Sequence, residues 1–198
     1  KYVNYSFTTL KKIFDKFDHQ YTAIVSKPTW IWGAEMGINE YGLAIGNEAV
    51  FSKERVDKNG LLGMDILRLA LHNTKTAKKA VDFIIKLIMD FGQGGGGGYS
   101  KEFHYHNSFL IKDYNEAYIL ETAGKHWVVK KVDELATISN TYTITNDFDQ
   151  IDQESKNNIN FKNYYEKKII SFFSKGDYRQ EFSSSYLVEN TINLKNIM

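Results

Sequence analysis

The sequence predicts an α+β fold in which helices pack on antiparallel sheet. Short runs rich in β-branched and aromatic residues occur on both sides of a central region, and short polar or glycine-containing turns join them. The central region, 62–91, instead carries apolar residues at helical spacing. The resulting order is strands, a helical pair, more strands and a helix. That order suggests helices layered on an antiparallel sheet pair, although periodicity alone admits an ordinary α+β domain.

Taken in order, Tyr2–Phe7 alternates and reads as a strand, and 14–18 is a polar turn. Tyr21–Ser26 is a short apolar run with β-branched members and reads as a buried strand, ended by Pro28, which has no N–H to donate. Residues 34–51 read as a hairpin. One arm is Glu35–Ile38, the turn is Asn39-Glu40-Tyr41-Gly42, and the return arm is Leu43–Phe51. Leu62, Ile66, Leu69 and Ala70 share one face of a helix over Leu62–His72. Thr76 is placed to cap a second helix, whose apolar face runs from Ala77 through Ile84 to Phe91, and Gly92 ends it. Strands follow at His106–Lys112, Ala117–Thr122 and His126–Val132, with a fourth at Ala136–Asn140. Polar residues dominate from Asn146 to Asn160. Ile159–Phe173 can form one more helix, and nothing firm is signalled from Gly176 onward. The division expected is a main unit over 1–150 and a helical or irregular extension of the same domain over 151–198.

With 198 residues, 42% of them apolar, the chain can bury a real core. Its 25 basic and 24 acidic residues leave a net charge of +1, so no overall field draws it to nucleic acid or to an acidic membrane surface. There is no cysteine, which excludes disulfides, thiolate metal sites and a thiol nucleophile within these residues. The longest apolar stretch, 81–91, is interrupted by Asp82, Lys86 and Asp90 and is too charged to span a bilayer. Residues 1–12 do not read as a signal peptide, and a start at Lys1 reads as an internal cut.

Residues 26–50 read SKPTWIWGAEMGINEYGLAIGNEAV. Further blocks follow in order: GLLGMDILRL from Gly60, Phe91-Gly92-Gln93-Gly94-Gly95, His106-Asn107-Ser108-Phe109, Leu120-Glu121-Thr122-Ala123-Gly124-Lys125-His126-Trp127 and Ile138-Ser139-Asn140. Jointly these blocks, over residues 21–150, resemble the secernins, relatives of the cysteine dipeptidases among the N-terminal-nucleophile hydrolases. The resemblance implies an αββα sandwich of antiparallel sheets with flanking helices, here incomplete. It also implies an amide hydrolase that attacks with the cysteine at its mature N-terminus. The free α-amine of that residue, with a pKa of roughly 7.7–8.0, acts as general base. The family places that nucleophile upstream of the residue matching Lys1, and Ser6 has no free amine with which to replace it.

The resemblance points to Asn47 and Asn140 as donors to a developing oxyanion, since a side-chain amide donates without titrating. A turn-capping role for either is the plain alternative. Glu35 and Glu48 lie near Trp30 and Trp32, where carboxylates would hold a substrate α-ammonium and indoles would wall a pocket. The competing reading puts the tryptophans in the core and the glutamates in surface ion pairs. Glu121 and Thr122 admit the same two readings. His104 and His106 form an H-x-H pair with no third ligand at diagnostic spacing, which favours non-metal histidines. Gly94–Gly98 lacks the ending of a P-loop and reads as a mobile linker or lid.

Two functions remain open at this stage. One is a dipeptidase or small acyl-amide hydrolase, and the other is a non-catalytic secernin-like interaction protein linked to regulated secretion. Neither implies a cofactor or metal. The expected partner is a dipeptide or small acyl-amide, with no nucleic acid and no membrane. A homo-oligomer is allowed, and the expected location is cytoplasmic. An exposed apolar groove is expected near the Trp30–Val50 hairpin.

Overall fold

A computed structural model describes Phe17 and residues 20–99, 103–155 and 160–189. The strand expected at Tyr2–Phe7 and all but Phe17 of the turn at 14–18 lie outside the described residues. Seven strands form one antiparallel sheet in sequence order: β1 Ala23–Ser26, β2 Met36–Asn39, β3 Ala44–Val50, β4 His106–Lys112, β5 Ala117–Ala123, β6 His126–Val132 and β7 Gln150–Ile151. Between β3 and β4 come helices α1, Gly63–Asn73, and α2, Ala77–Phe91. After β7 come α3, Phe161–Tyr165, α4, Lys168–Ser174, and α5, Gly176–Glu189. The α+β class and the antiparallel sheet with flanking helices match the expectation. Where a sheet pair was suggested, the described residues form a single sheet.

The β2–β3 turn is closed by Asn39. Its Oδ1 accepts from the backbone N–H groups of Tyr41 and Leu43, while Gly42 supplies the positive φ of 76°. The Asn39 Nδ2 donates to the carbonyls of Leu71 and Thr74 at 2.9 and 2.8 Å, tying the hairpin to the end of α1. The Thr76 side chain caps α2 and Gly92, at φ 71°, ends it.

Strand alternation sorts the core into two layers. Ile45, Phe109, Ile111, Leu120 and Val129 face α1 and α2, whose Ile66, Leu69, Ile84 and Leu87 are fully buried against them. On the opposite face, Val50, Ile119, Ala123 and Val128 pack under Tyr142, Ile144, Phe161 and Tyr165. Among the described residues, that second layer covers the β3–β7 end of the sheet. Toward β1, Ile24 and Ile38 pair across the ladder and are 78% and 45% exposed, Met36 is 57% exposed, and a Cβ on its partner Gly46 would meet nothing within 4 Å. Among the described residues, exposed apolar surface therefore lies beside the hairpin, on a face of the sheet.

Three expectations in the second half are corrected. Ala136–Asn140 forms no strand. Only an isolated bridge joins Ser139 to Thr141, and the second partner of β6 is β7. The single helix over Ile159–Phe173 is broken, with Ile159 outside the described residues. Glu166 leaves helical geometry at ψ 133° because its carboxylate is drawn inward to accept from Thr141 Oγ1 at 2.7 Å. Backbone bonds from Lys53 N to Tyr165 O and from Lys167 N to Phe51 O, each 2.8 Å, replace the helical ones. The segment from Gly176, unsignalled in the sequence, is the helix α5, with Tyr178, Phe182 and Tyr186 stacked along one exposed side.

Candidate active-site cleft

The cleft forms because β2 is shorter than β3. Their last register pair is Met36 with Gly46, followed by one further bond from Asn47 N to Glu35 O at 2.9 Å. Beyond that point, the β2 side of β3 carries the loop containing Asn140. The Asn140 Nδ2 donates to Ala49 O and to Glu48 Oε2, both at 2.9 Å, and thereby caps the strand edge. A cleft of about 260 Å³ opens here, lined by Pro28, Trp30, Glu35, Asn47, Glu48 and Asn140, with Met64, Phe103 and Tyr105 as apolar and aromatic walls. Segments 91 and 92 residues apart in sequence are thus joined by two hydrogen bonds from a single amide.

Five of the six expected site residues meet in this cleft: Trp30, Glu35, Asn47, Glu48 and Asn140. Trp32 does not line it. Its ring packs on the helix-side core with the Arg68 guanidinium 4.5 Å above it, and its carbonyl accepts from Arg68 Nη1. Trp30 instead reaches across the cleft, its Nε1 donating to Gly97 O at 3.4 Å.

Both asparagine amides have their hydrogens engaged by protein acceptors. Asn47 Nδ2 donates to Asn107 Oδ1 and Ser108 O, each at 3.2 Å. The Oδ1 of Asn140 accepts from Arg179 Nη2 at 2.6 Å. Arg179, on α5, does not line the cleft but bonds its Asn140, and the segment carrying it gave no firm signal in the sequence. Burial pushes the Glu48 carboxyl above its ordinary value; Arg179 and the Asn140 amide pull it back, and Glu35 adds to the rise. Burial, then the negative charges of Asp65, Glu35 and Glu48, likewise pushes the Tyr105 phenol far up, so it stays neutral. Asp65, beside Met64 in the first turn of α1, is fully buried. Its carboxyl rises to about 7 against the opposing pull of the Gly33 backbone and Arg68.

The glycine run is not a loose linker up to Gly97. Gly94 and Gly95 donate to Leu61 O, Gly97 donates to Phe103 O, and residues 92–96 are buried. A Cβ on Gly94, at φ 119°, would come within 2.2 Å of Val56. Close packing against 56–61 therefore explains these glycines better than mobility does. Of the H-x-H pair, His104 Nδ1 bonds Gly94 O at 2.7 Å, while burial holds His106 down at about 4, so it is neutral. Glu121 is not at the cleft. It lies two strands from Glu48 on the same sheet face, fully buried, and accepts from Thr143 N, Thr143 Oγ1 and Ile144 N. No helix among the described residues is long and apolar enough to cross a membrane.

Residues 3–185 match the family model of acyl-coenzyme A:6-aminopenicillanic acid acyl-transferase. Among solved structures, the chain is similar to two variants of the conjugated bile acid hydrolase of Clostridium perfringens. Each is 14% identical, with TM-scores of 0.40 and 0.46 over 59% and 64% of this chain. It is also similar to penicillin V acylase of Agrobacterium tumefaciens, at 16% identity and TM-score 0.40 over 58% of this chain. The matched parts are 37%, 40% and 34% of those three chains respectively, so this chain spans well under half of their length. The match to the family model covers nearly the whole chain, and on that ground the chain belongs to the acyl-coenzyme A:6-aminopenicillanic acid acyl-transferase family, within the N-terminal-nucleophile hydrolase superfamily.

Proposed function

We propose that the cleft is the amine-binding part of an amide-hydrolase site, and that the full-length protein is a dipeptidase of the secernin kind. The observation that carries this reading is the pair of carboxylates, Glu35 and Glu48, at a cleft walled by Trp30, Phe103 and Tyr105. Such a site favours a protonated amine: carboxylates accept its hydrogens, and aromatic faces attract the remaining positive charge. A dipeptide carries such a group next to its scissile bond.

In this reading a thiol at the mature N-terminus attacks the amide carbon, and its α-amine takes the thiol proton and passes it to the leaving amine. An acyl-enzyme forms, which water then hydrolyses. The oxyanion needs an N–H donor. Asn140 supplies one by exchanging Glu48 Oε2 for the oxyanion, with Arg179 holding the opposite end of the amide in place.

The test compares the full-length, processed protein on L-Ala-L-Ala and on its N-acetylated form. Turnover is expected for the free amine only. Glu48→Gln is expected to raise KM about tenfold or more, from the loss of a charge-assisted hydrogen bond worth about 1.5–3 kcal/mol, with a smaller change in kcat. Equal turnover of both substrates removes the amine-binding role. Binding without turnover favours the non-catalytic, secretion-linked reading.

A further inference from the structure

We infer that Gln93 and Asn107 are positioning residues: with Asn47 they form a head-to-tail chain of side-chain amides that turns the Asn47 carbonyl oxygen, rather than its NH₂, toward the cleft. The chain begins at Gly124 O, which can only accept, so Gln93 Nε2 is the donor across 2.7 Å. Gln93 Oε1 must then accept, and it does so from Asn107 Nδ2 at 2.9 Å; the single Thr122 hydroxyl hydrogen is shared between Gln93 Oε1 at 2.9 Å and Asn107 O at 2.7 Å. Asn107 Oδ1 is left to accept from Asn47 Nδ2 at 3.2 Å. At the far end, Ser108 O, again only an acceptor, takes the second Asn47 hydrogen.

Two backbone carbonyls therefore set the polarity of every link. Flipping any one amide would oppose two oxygens or two NH₂ groups. Gln93, Asn107 and Thr122 are 1%, 0% and 0% exposed, so no solvent relieves such a mismatch. The space for Asn107 exists because residue 63 is glycine: a Cβ there would lie 1.7 Å from Asn107 Oδ1.

Both Asn47 hydrogens are engaged, and what it offers the cleft is Oδ1, an acceptor. Glu35 and Glu48 are acceptors as well. The cleft then selects a ligand group rich in N–H donors, a protonated primary amine, and disfavours the same ligand acylated on that nitrogen. This selectivity rests on the reading of the cleft as the ligand site, whereas the polarity of the amide chain does not.

The experiment uses ¹⁵N-labelled full-length protein and two probes, L-Ala-L-Ala and N-acetyl-L-Ala-L-Ala. In the wild type both Asn47 side-chain NH₂ hydrogens are expected to be protected from solvent exchange, a measurement that needs no variant. In Gln93→Leu, Asn107 is free to turn. Asn47 exchange should then accelerate at least tenfold, and L-Ala-L-Ala affinity should fall about tenfold, the effect of one hydrogen bond, while the acetylated probe is unaffected. In Gln93→Glu a protonated carboxyl can donate to Gly124 O and accept from Asn107. This variant should restore both properties at pH 5 relative to wild type, and lose them as the carboxyl ionises. Fast exchange at Asn47 in the wild type overturns the inference, as does Gln93→Leu with unchanged exchange. If exchange follows Gln93 but neither probe binds, the amide chain stands and the amine-site reading falls.

Discussion

Replacing Glu121 by glutamine should reverse the order of stability of the two proteins between pH 5 and pH 8.5. The Glu121 carboxyl is fully buried, and burial raises it from an ordinary 4.5 to about 7, although Ile144 N, the Thr143 hydroxyl and Thr143 N all donate to it. Between those values the folded protein keeps a proton that the unfolded chain has released. Stability therefore falls as pH rises through the window and levels off above about 7. At 1.36 kcal/mol per pH unit, the span from 4.5 to about 7 corresponds to about 3 kcal/mol. Glutamine does not titrate. It keeps an acceptor for Thr143 but sets an NH₂ against the Ile144 N–H, at about 1–2 kcal/mol. Urea unfolding of both full-length proteins at the two pH values reads the difference directly. Glu121→Gln should be less stable at pH 5 and more stable at pH 8.5, a relative change of about 2.5 kcal/mol. Asp65, at about 7, adds a fall of the same sign, and His106, at about 4, adds a rise from pH 4 to 6.5; both are common to the two proteins and cancel. A difference between the two proteins that does not change with pH would refute the reasoning. The residue matters to the cleft because Thr143 and Ile144 follow the loop that delivers Asn140.

Gly63→Ala should destabilise by about 1–3 kcal/mol by overpacking, since its Cβ meets Asn107 Oδ1 at 1.7 Å; thermal unfolding measures this. Asp113→Ala should cost about 2–3 kcal/mol, because one carboxylate accepts from Ala77 N at the start of α2 and from Asn115 N and Glu116 N in the β4–β5 turn. Burial pulls the Asp113 carboxyl up, but those donors outweigh it and hold it below its ordinary value. Its contribution should therefore be present at neutral pH and lost as pH falls through the folded-state pKa. Arg179→Met should raise the Glu48 pKa further, read by carbon NMR titration, because it removes the cation that lowers it.

Local rules made the first half of the fold legible. Asn39 and Gly42 mark a tight turn, and Leu62, Ile66 and Leu69 mark a helix face, because backbone geometry and periodicity are encoded within a few residues. The misses share a cause in non-local contacts. Glu166 leaves the helix because its carboxylate finds Thr141, 25 residues away, and Ala136–Asn140 fails to pair because β7 takes the edge of β6. α5 gave no firm signal, because Tyr178, Phe182 and Tyr186, which recur along it, are exposed and mark no face turned to a core. At the cleft, residue types near the hairpin singled out Trp30, Glu35 and Glu48, and the family resemblance singled out Asn47 and Asn140; all five line it. Trp32, only two positions from Trp30, went to the core. The roles of Arg179, Gln93 and Asn107 depend on partners far apart in sequence, and no local pattern announces them.

The most direct test of the account is a structure of the full-length protein with a non-hydrolysable dipeptide analogue. The ligand ammonium is expected within hydrogen-bonding distance of Glu48, Glu35 and Asn47 Oδ1, between Trp30 and Tyr105, with the ligand carbonyl oxygen toward Asn140. An analogue bound elsewhere, or bound here with its amine turned away from both carboxylates, would contradict it.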